Sequence, residues 1–152
     1  ICNGRFIMDG EDVSEAIRSV DVTNQVSTPS KIGCVRDFLV DYQRKISNSK
    51  NCIMDGRDIG TTVFPNAELK IFVTATPEIR AQRRYDELKA KGQKASFDEI
   101  LENVKQRDYI DQHREVSPLR KADDALLLDN TELTIQQQKE WLFNQYNQRT
   151  KA

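Results

Sequence analysis

A run of four residues, Asp55-Gly56-Arg57-Asp58, places two carboxylates and a guanidinium around one flexible glycine. It follows a short apolar run, 52–54, which we interpret as a buried strand that ends in this charged loop. In open α/β sheets, ligands bind in the crevice beyond the carboxyl ends of the strands. The loop is therefore a candidate site for an ionic ligand. The alternative interpretation is a polar turn closed by its own Asp–Arg pairs.

A second charged set lies on a helix predicted over residues 97–114. Its core-facing stripe begins with the apolar residues Phe97, Ile100, Leu101 and Val104. The same stripe continues with Arg107, Asp111 and Arg114, at spacings of four and three. Burying such groups is costly unless they are paired or bind a charged ligand, so we expect this half of the helix to border a polar cleft. A local ion-pair ladder on a solvated face is the alternative.

A third set, Arg80, Arg83 and Arg84, lies on a helix predicted over residues 77–91. Residues three and four apart share a helix face, so these arginines could act together on an anionic group. The alternative is a solvated face on which Glu87 pairs with Arg83 and Arg84.

Other kinds of chemistry have little support. The cysteines, Cys2, Cys34 and Cys52, are odd in number and lack C-x-x-C spacing, which argues against a disulfide framework or a zinc site. The only histidine, His113, is interpreted as a solvated helix residue. We expect no metal ligands from this chain.

The predicted elements that would position these residues alternate between strands and helices. Strands are predicted at 52–54, 69–73 and 125–128. Helices are predicted at 30–47, 77–91, 97–114 and from residue 135 onward, with short helical pieces near 13–17 and 20–26. This alternation predicts an α/β domain with a parallel sheet. The Asn-Gly and Asp-Gly pairs within residues 3–10 predict a small antiparallel appendage.

Several helix ends carry specific signals. The residues predicted to cap helix starts are Ser30, Thr76 followed by Pro77, Ser96 with Glu99, and Thr134. Gly92 is predicted to end the helix that carries the three arginines. The first long helix is predicted to be amphipathic, with an apolar stripe of Val35, Leu39, Tyr42 and Ile46 beside Phe38.

The composition is that of one modest domain: 152 residues, of which 38% are hydrophobic and 31% charged. Lys and Arg total 23 against 24 Asp and Glu, so bulk charge gives no attraction to nucleic acid or to an anionic membrane. No apolar run approaches membrane-spanning length and no signal-peptide pattern is present. We therefore predict a cytoplasmic protein with no nucleic-acid or membrane partner.

Four stretches, in this order, resemble the bacterial cytidylate kinase family of nucleoside monophosphate kinases. They are G-E-D-V-S at 10–14, D-G-R-D-I-G-T-T-V-F-P at 55–65, R-D-Y-I-D-Q-H-R at 107–114 and D-N-T-E-L-T-I at 129–135. The resemblance implies phosphoryl transfer from ATP, with Mg²⁺, to CMP or dCMP. It also implies a three-layer P-loop NTPase-type domain with a parallel sheet, an NMP-binding region at 1–48, and a remaining core at 49–152 with a lid at about 77–96.

The resemblance also assigns roles to the charged residues. It places Ser27, Arg36 and Asp58 at the cytosine base, which offers an amino donor together with nitrogen and carbonyl acceptors. It places Arg107 and Asp111 at the sugar and its adjoining phosphate.

The resemblance places Arg57 and Arg114 at positions that hold phosphate. We expect Asp55 to orient Arg57 or a magnesium-bound water. The three arginines of the 77–91 helix match lid arginines that close over ATP and exclude water.

One feature of the family is missing from the sequence. There is no G-x-x-x-x-G-K-[ST] loop, the motif whose amides, lysine and hydroxyl hold ATP phosphates and magnesium. In the family this loop and its core strand lie upstream, so we expect these 152 residues alone to have no kinase activity. The full-length protein is expected to be monomeric. A non-catalytic nucleotide-binding module, an NMP kinase of other base specificity and an RNA-binding or scaffolding protein are the alternatives.

Overall fold

The structure is a computed structural model that describes residues 4–26, 28–47 and 51–150. Its first elements form a small antiparallel hairpin of β1 (Ile7–Met8) and β2 (Glu11–Asp12). Asp9 and Gly10 form the turn, both with positive φ (50° and 88°), as a two-residue hairpin turn requires. The predicted antiparallel element is confirmed. Asn3, part of the other turn signal, lies outside the described residues.

The predicted short helical pieces are confirmed as a 3₁₀ turn, Ala16–Arg18, and helix α1, Val20–Gln25. A second 3₁₀ turn, Pro29–Lys31, precedes α2, Gly33–Ser47. The helix predicted at 30–47 therefore exists, but Ser30 as its cap was wrong. Ile32 is extended (φ −77°, ψ 118°) between the two elements, which interrupts the helical hydrogen-bond pattern and delays the start of α2.

The buried residues of α2 are not those of its predicted apolar stripe. Its buried residues are Arg36 and Val40, whereas Phe38, Leu39, Tyr42 and Ile46 are exposed. The helix presents Arg36 to the segment around Asp58, with which it forms an ion pair. The buried face of α2 is thus the face that carries Arg36 and Val40, and most of the predicted apolar stripe is exposed.

The strand predicted at 52–54 was wrong. These residues are irregular, and the side chain of Ile53 is fully exposed. A strand needs hydrogen-bonding partners for its backbone, and no strand within residues 4–26, 28–47 and 51–150 pairs with this run. Instead the chain passes Asp58 and forms a five-residue π-helix, Ile59–Val63.

The parallel sheet is confirmed as a pair, β3 (Ile71–Thr74) and β4 (Leu126–Asp129), in the register Ile71↔Leu126 to Thr74↔Asp129. Between them run α3 (Pro77–Ala90) and α4 (Phe97–His113), and α5 (Ile135–Thr150) follows β4. These helices and strands lie within one or two residues of their predicted bounds, because each long periodic run has clear end signals.

The predicted caps of the later helices are confirmed. The hydroxyl of Thr76 accepts from the Ile79 amide (3.4 Å) and that of Ser96 from the Glu99 amide (3.5 Å). The hydroxyl of Thr134 accepts from the amide of Gln137 (3.2 Å). After α3, Gly92 has φ +70° and donates to the Lys89 carbonyl (3.0 Å), which ends the helix in a left-handed residue.

The buried apolar residues fall into two groups. Ala75, Ala81, Leu88 and Leu128 lie on α3, on β4 or just after β3, whereas Val40 and Val63 lie on α2 and the π-helix. Within the described part of the chain, no helix has the length and apolar character that crossing a membrane requires.

A polar contact fastens α3 to its neighbours. Arg80 donates two hydrogen bonds to the carboxylate of Asp108 on α4, one of them 2.8 Å from Nη1 to Oδ1. Its Nε also donates to the Ala75 carbonyl just after β3 (3.0 Å). The hydrogen bonds to Asp108 raise the pKa of the Arg80 guanidinium. One side chain thus joins β3, α3 and α4.

We expect Arg80→Gln to lower the free energy of unfolding by about 1 to 2 kcal/mol, because it removes a partly buried charge-assisted pair. Arg84→Gln is the matched control on the same helix: Arg84 pairs only locally with Glu87 (2.7 Å), a surface pair worth about 0.5 kcal/mol or less. Urea unfolding at pH 7 measures both. Equal losses of unfolding free energy in the two variants would show that the Arg80–Asp108 contact does not stabilise the packing of α3 on α4.

Candidate active site

The first residue of the site is Asp58, which lies between the irregular residues 51–57 and the π-helix. Its side chain is nearly buried, as is that of Arg36. Nη2 of Arg36, on α2, donates to Oδ2 of Asp58. A carboxylate in this position is tolerable because a guanidinium from another element neutralises it.

The C-terminal end of α4 supplies the second carboxylate. Asp111 is 4% exposed, and its Oδ2 accepts from Nε of Arg57 (2.8 Å). Arg114, directly after α4, lies between the two carboxylates: its Nη1 is 3.7 Å from Oδ1 of Asp111 and its Nη2 is 3.8 Å from Oδ1 of Asp58. We call this alternating series, Arg36–Asp58–Arg114–Asp111–Arg57, the Arg–Asp chain.

The Arg–Asp chain brings together five of the residues that the sequence marked. The polar cleft expected beside the ionic half of the 97–114 helix stays a prediction; the structure shows that Asp111 and Arg114 pair with charged groups from other elements. The ladder on a solvated face does not describe these two residues, because both are buried and both pair with charges from outside the helix.

The Arg–Asp chain has an excess of positive charge and of hydrogen-bond donors. Three guanidinium groups against two carboxylates leave one uncompensated positive charge. Burial lowers the pKa of the Arg114 guanidinium, and the neighbouring charge of Arg36 lowers it further. Among the described residues, the buried side-chain nitrogens without a hydrogen-bond acceptor are Nε of Arg36, Nε of Arg107 and Nη2 of Arg114. An anionic ligand would satisfy both the charge and the donors.

Arg107 is half-buried one helical turn before Asp111. Among the ion pairs of residues 4–26, 28–47 and 51–150, none includes it, and its Nε is buried without an acceptor. A buried donor that lacks a partner is costly. Nε of Arg107 is therefore a candidate donor to an oxygen of a ligand.

The remaining predicted residues lie outside the Arg–Asp chain. Asp55, the first residue of the charged loop 55–58, is exposed. Ser27 lies outside the described residues. Each arginine of α3 has a partner of its own. Arg83 donates to Asn130, at the side-chain oxygen (2.9 Å) and the carbonyl (2.7 Å), and Arg84 pairs with Glu87 as the solvated-face alternative expected.

Sequence reasoning missed Arg44 and Lys70. Arg44 donates to the carbonyls of Thr62 and Val63. Lys70 is 9% exposed, and its Nζ donates to both oxygens of Asp124 (2.9 and 2.8 Å) and to the Pro65 carbonyl. These hydrogen bonds lower the pKa of the Asp124 carboxyl. Backbone carbonyls are acceptors at every residue, so no residue-type pattern could identify the arginine that binds them.

The carboxylates of the Arg–Asp chain do not fit a resident metal. Magnesium is bound by carboxylate and water oxygens, but Asp58 and Asp111 already accept from arginines. No cluster of three or more candidate ligands occurs in the part of the chain that the structure describes.

Comparison with known proteins identifies the family of this chain. A sequence model of the family described as cytidylate kinase matches residues 1–148. This chain belongs to the cytidylate kinase family. The resemblance carried by the four stretches is thereby confirmed, and the family implies a P-loop NTPase fold, with which the mixed helices and small parallel sheet agree.

Curated relatives support the same assignment. Cytidylate kinases are 68% identical over 139 residues in Bacteroides thetaiotaomicron, 63% over 145 in Bacteroides fragilis and 58% over 139 in Phocaeicola vulgatus. These matches cover 91%, 95% and 91% of this chain, and 61%, 63% and 61% of the relatives. The chain thus spans about three fifths of the length of the cytidylate kinases it matches.

We expect Asp111→Asn to lower the free energy of unfolding by about 3 kcal/mol, because it leaves Arg57 and the buried Arg114 without their shared carboxylate. Asp37→Asn, at an exposed position next to Arg36 on α2, is the matched control and should change stability by less than about 0.5 kcal/mol. Chemical denaturation at pH 7 measures both. A loss at Asp111 no larger than that at Asp37 would show that the Arg–Asp chain contributes nothing to folding.

Proposed function

We propose that this chain forms the acceptor site of a cytidylate kinase that transfers the γ-phosphoryl group of MgATP to CMP or dCMP, giving ADP and CDP or dCDP. The observation that carries the proposal is the Arg–Asp chain: it is positively charged, buried except at Arg57, and has N–H donors left over. Such a site suits a nucleoside monophosphate, which brings both a polar base and a phosphate.

For the base, we propose that Asp58 accepts from the exocyclic amino group of cytosine. Arg36, held against Asp58, and Ser27 would donate to the ring nitrogen and carbonyl. Uracil carries a carbonyl in place of the amino group, so its oxygen would face a carboxylate. The buried Asp58 carboxylate therefore provides discrimination by repulsion as well as by attraction.

For the sugar and phosphate, we propose that Asp111 accepts from a ribose hydroxyl and that Arg107 donates to the sugar or its adjoining phosphate. Arg57 and Arg114 would hold the phosphate, which would then complete the hydrogen bonding of Arg114. Asp55 would contact Arg57 or a magnesium-bound water when both substrates are present.

The proposed reaction requires little covalent help from the protein. An oxygen of the CMP phosphate attacks the γ-phosphorus of ATP, a new P–O bond forms, and the bond to the bridging oxygen breaks as ADP leaves. Catalysis then consists of alignment and of neutralising charge that spreads over the transferred group. Arginines held by carboxylates are pre-aligned for both tasks.

For the lid, we propose that Arg80, Arg83 and Arg84 turn toward ATP when both substrates bind. They would exchange Asp108, Asn130 and Glu87 for phosphate oxygens, and closure would exclude water. The arrangement belongs to a three-layer domain with an NMP-binding region at 1–48 and a core at 49–152, whose lid is at about 77–96. We propose that the strand carrying the P-loop lies outside this chain and that the full-length enzyme is monomeric.

The full-length protein should phosphorylate CMP and dCMP, with kcat/KM for UMP lower by about 100-fold or more, because UMP leaves Asp58 facing a carbonyl. A coupled assay of ADP formation with CMP, dCMP, UMP and AMP measures this. A preference for AMP would overturn the base assignment. Calorimetric binding of CMP without binding of ATP would favour a non-catalytic nucleotide-binding module, and retention of RNA in place of nucleotides would favour an RNA-binding protein.

The 152-residue chain alone should show no CMP-dependent ADP formation, because it has no motif that holds the ATP phosphates. The same coupled assay on the chain, with the full-length protein as the positive control, measures this. Turnover by the chain would show that the donor site is built from residues other than a P-loop.

A further inference from the structure

The residue proposed to recognise the base is also the residue from which the π-helix starts. The carbonyl of Asp58 accepts from the amides of Thr62 (2.8 Å) and Val63 (3.3 Å), and the Ile59 carbonyl accepts from the Phe64 amide (2.7 Å). π-Helical turns are rare and frequently occur at functional sites. The backbone position of Asp58 therefore depends on whether this turn keeps its shape.

Arg44 closes the other end of the same turn. Its Nε donates to the carbonyl of Val63 (3.0 Å) and its Nη2 to that of Thr62 (2.7 Å). The last carbonyls of a helical turn have no partner within the turn and carry partial negative charge. A guanidinium is well suited to them, because its planar fork can donate to two acceptors at once.

The contacts at both ends come from a single row of α2. Arg36, Val40 and Arg44 are spaced by four residues and therefore follow one another along the helix surface. Arg36 binds the side chain of Asp58, while Arg44 binds the end of the π-helix, whose Val63 is 2% exposed. Helix α2 thus holds the segment from Asp58 to Val63 at both ends.

We propose that Arg44 is a positioning residue for base recognition: by holding the π-helix, it fixes the place of the Asp58 carboxylate relative to Arg36. The inference rests on the proposed function, because the ligand in question is the cytosine of CMP. Arg44 acts through Thr62 and Val63 and does not itself touch the substrate.

Lys70 also contacts the segment that contains the π-helix. We therefore expect that replacing Arg44 shifts this segment and does not unfold it. Nζ of Lys70 donates to the carbonyl of Pro65, just beyond the π-helix. The Lys70 side chain also lies against Gly60, where an added Cβ would be 3.3 Å from Cδ of Lys70. The segment therefore stays attached to the core through Lys70 when Arg44 is replaced.

The test uses the full-length protein with Arg44→Met, which keeps an apolar stem but removes both donors. Lys45→Met, at the exposed neighbouring position on α2, is the matched control. We expect Arg44→Met to reduce the ratio of kcat/KM for CMP over UMP by about 10-fold or more, the effect of a misplaced recognition group. kcat with saturating CMP and KM for ATP should stay unchanged, Arg44→Lys should restore part of the ratio, and Lys45→Met should have no effect.

A double-mutant comparison separates positioning from a general effect on the fold. In an Asp58→Asn background the carboxylate is absent, so adding Arg44→Met should leave the CMP/UMP ratio where Asp58→Asn alone puts it. An unchanged ratio in Arg44→Met alone would overturn the proposal. So would a further drop of the same size in the Asp58→Asn background.

A measurement without turnover keeps this proposal separate from the proposed function. Amide hydrogen exchange of Thr62 and Val63 should be faster in Arg44→Met than in Lys45→Met, whereas amides of α3 should exchange alike in both. Unchanged exchange at Thr62 and Val63 would contradict the role of Arg44. A full-length protein that exchanged as expected but phosphorylated no CMP would contradict the proposed function instead.

Discussion

The buried carboxylate of Asp58, held between the guanidinium groups of Arg36 and Arg114, is the constraint on which the arrangement of the site depends. A charge out of water is tolerable only if opposite charges come close enough to repay its desolvation. The two arginines come from α2 and from the end of α4, so satisfying Asp58 fixes where those elements meet the 55–65 segment. The same alternation then extends through Asp111 to Arg57. Arginines outnumber carboxylates in this series by one, which is the excess of positive charge on which the proposed phosphate contact rests.

The parts of the fold that could be predicted from the sequence are those with local causes. Thr76 and Ser96 mark helix starts through hydrogen bonds to residues three positions later, and Gly92 marks an end through its own backbone angle. Asp111 and Arg114 could be assigned to a buried polar site because they continue an apolar stripe. The 52–54 strand could not be assigned correctly, since an apolar run becomes a strand only if another strand pairs with it. Arg44 could not be found because its partners are backbone carbonyls.

The arginines of α3 differ in how firmly they are held, which bears on how a lid could move. Arg80 makes two hydrogen bonds to Asp108 and one to a carbonyl, whereas Arg84 makes a surface pair with Glu87 within its own helix. Surface pairs contribute little free energy, so Arg84 can turn toward a phosphate at low cost. Arg80 can do so only if the phosphate replaces all of its acceptors. The proposed lid closure would therefore have a graded cost, because Arg80 opposes movement of α3 away from α4 more than Arg84 does.

Helix α2 explains how Asp58 can be held with the accuracy that the proposed base recognition would need. Arg36 and Arg44 are eight residues apart, which corresponds to about 12 Å along a helix at its usual rise. A helix of this length behaves as a rigid rod, so its two arginines present fixed contact points to the Asp58 carboxylate and to the carbonyls at the end of the π-helix. A segment held at two such points loses most of its freedom to shift along the helix. Adding or removing one residue between them would rotate one contact by about 100° relative to the other, which would release either the carboxylate or the turn behind it.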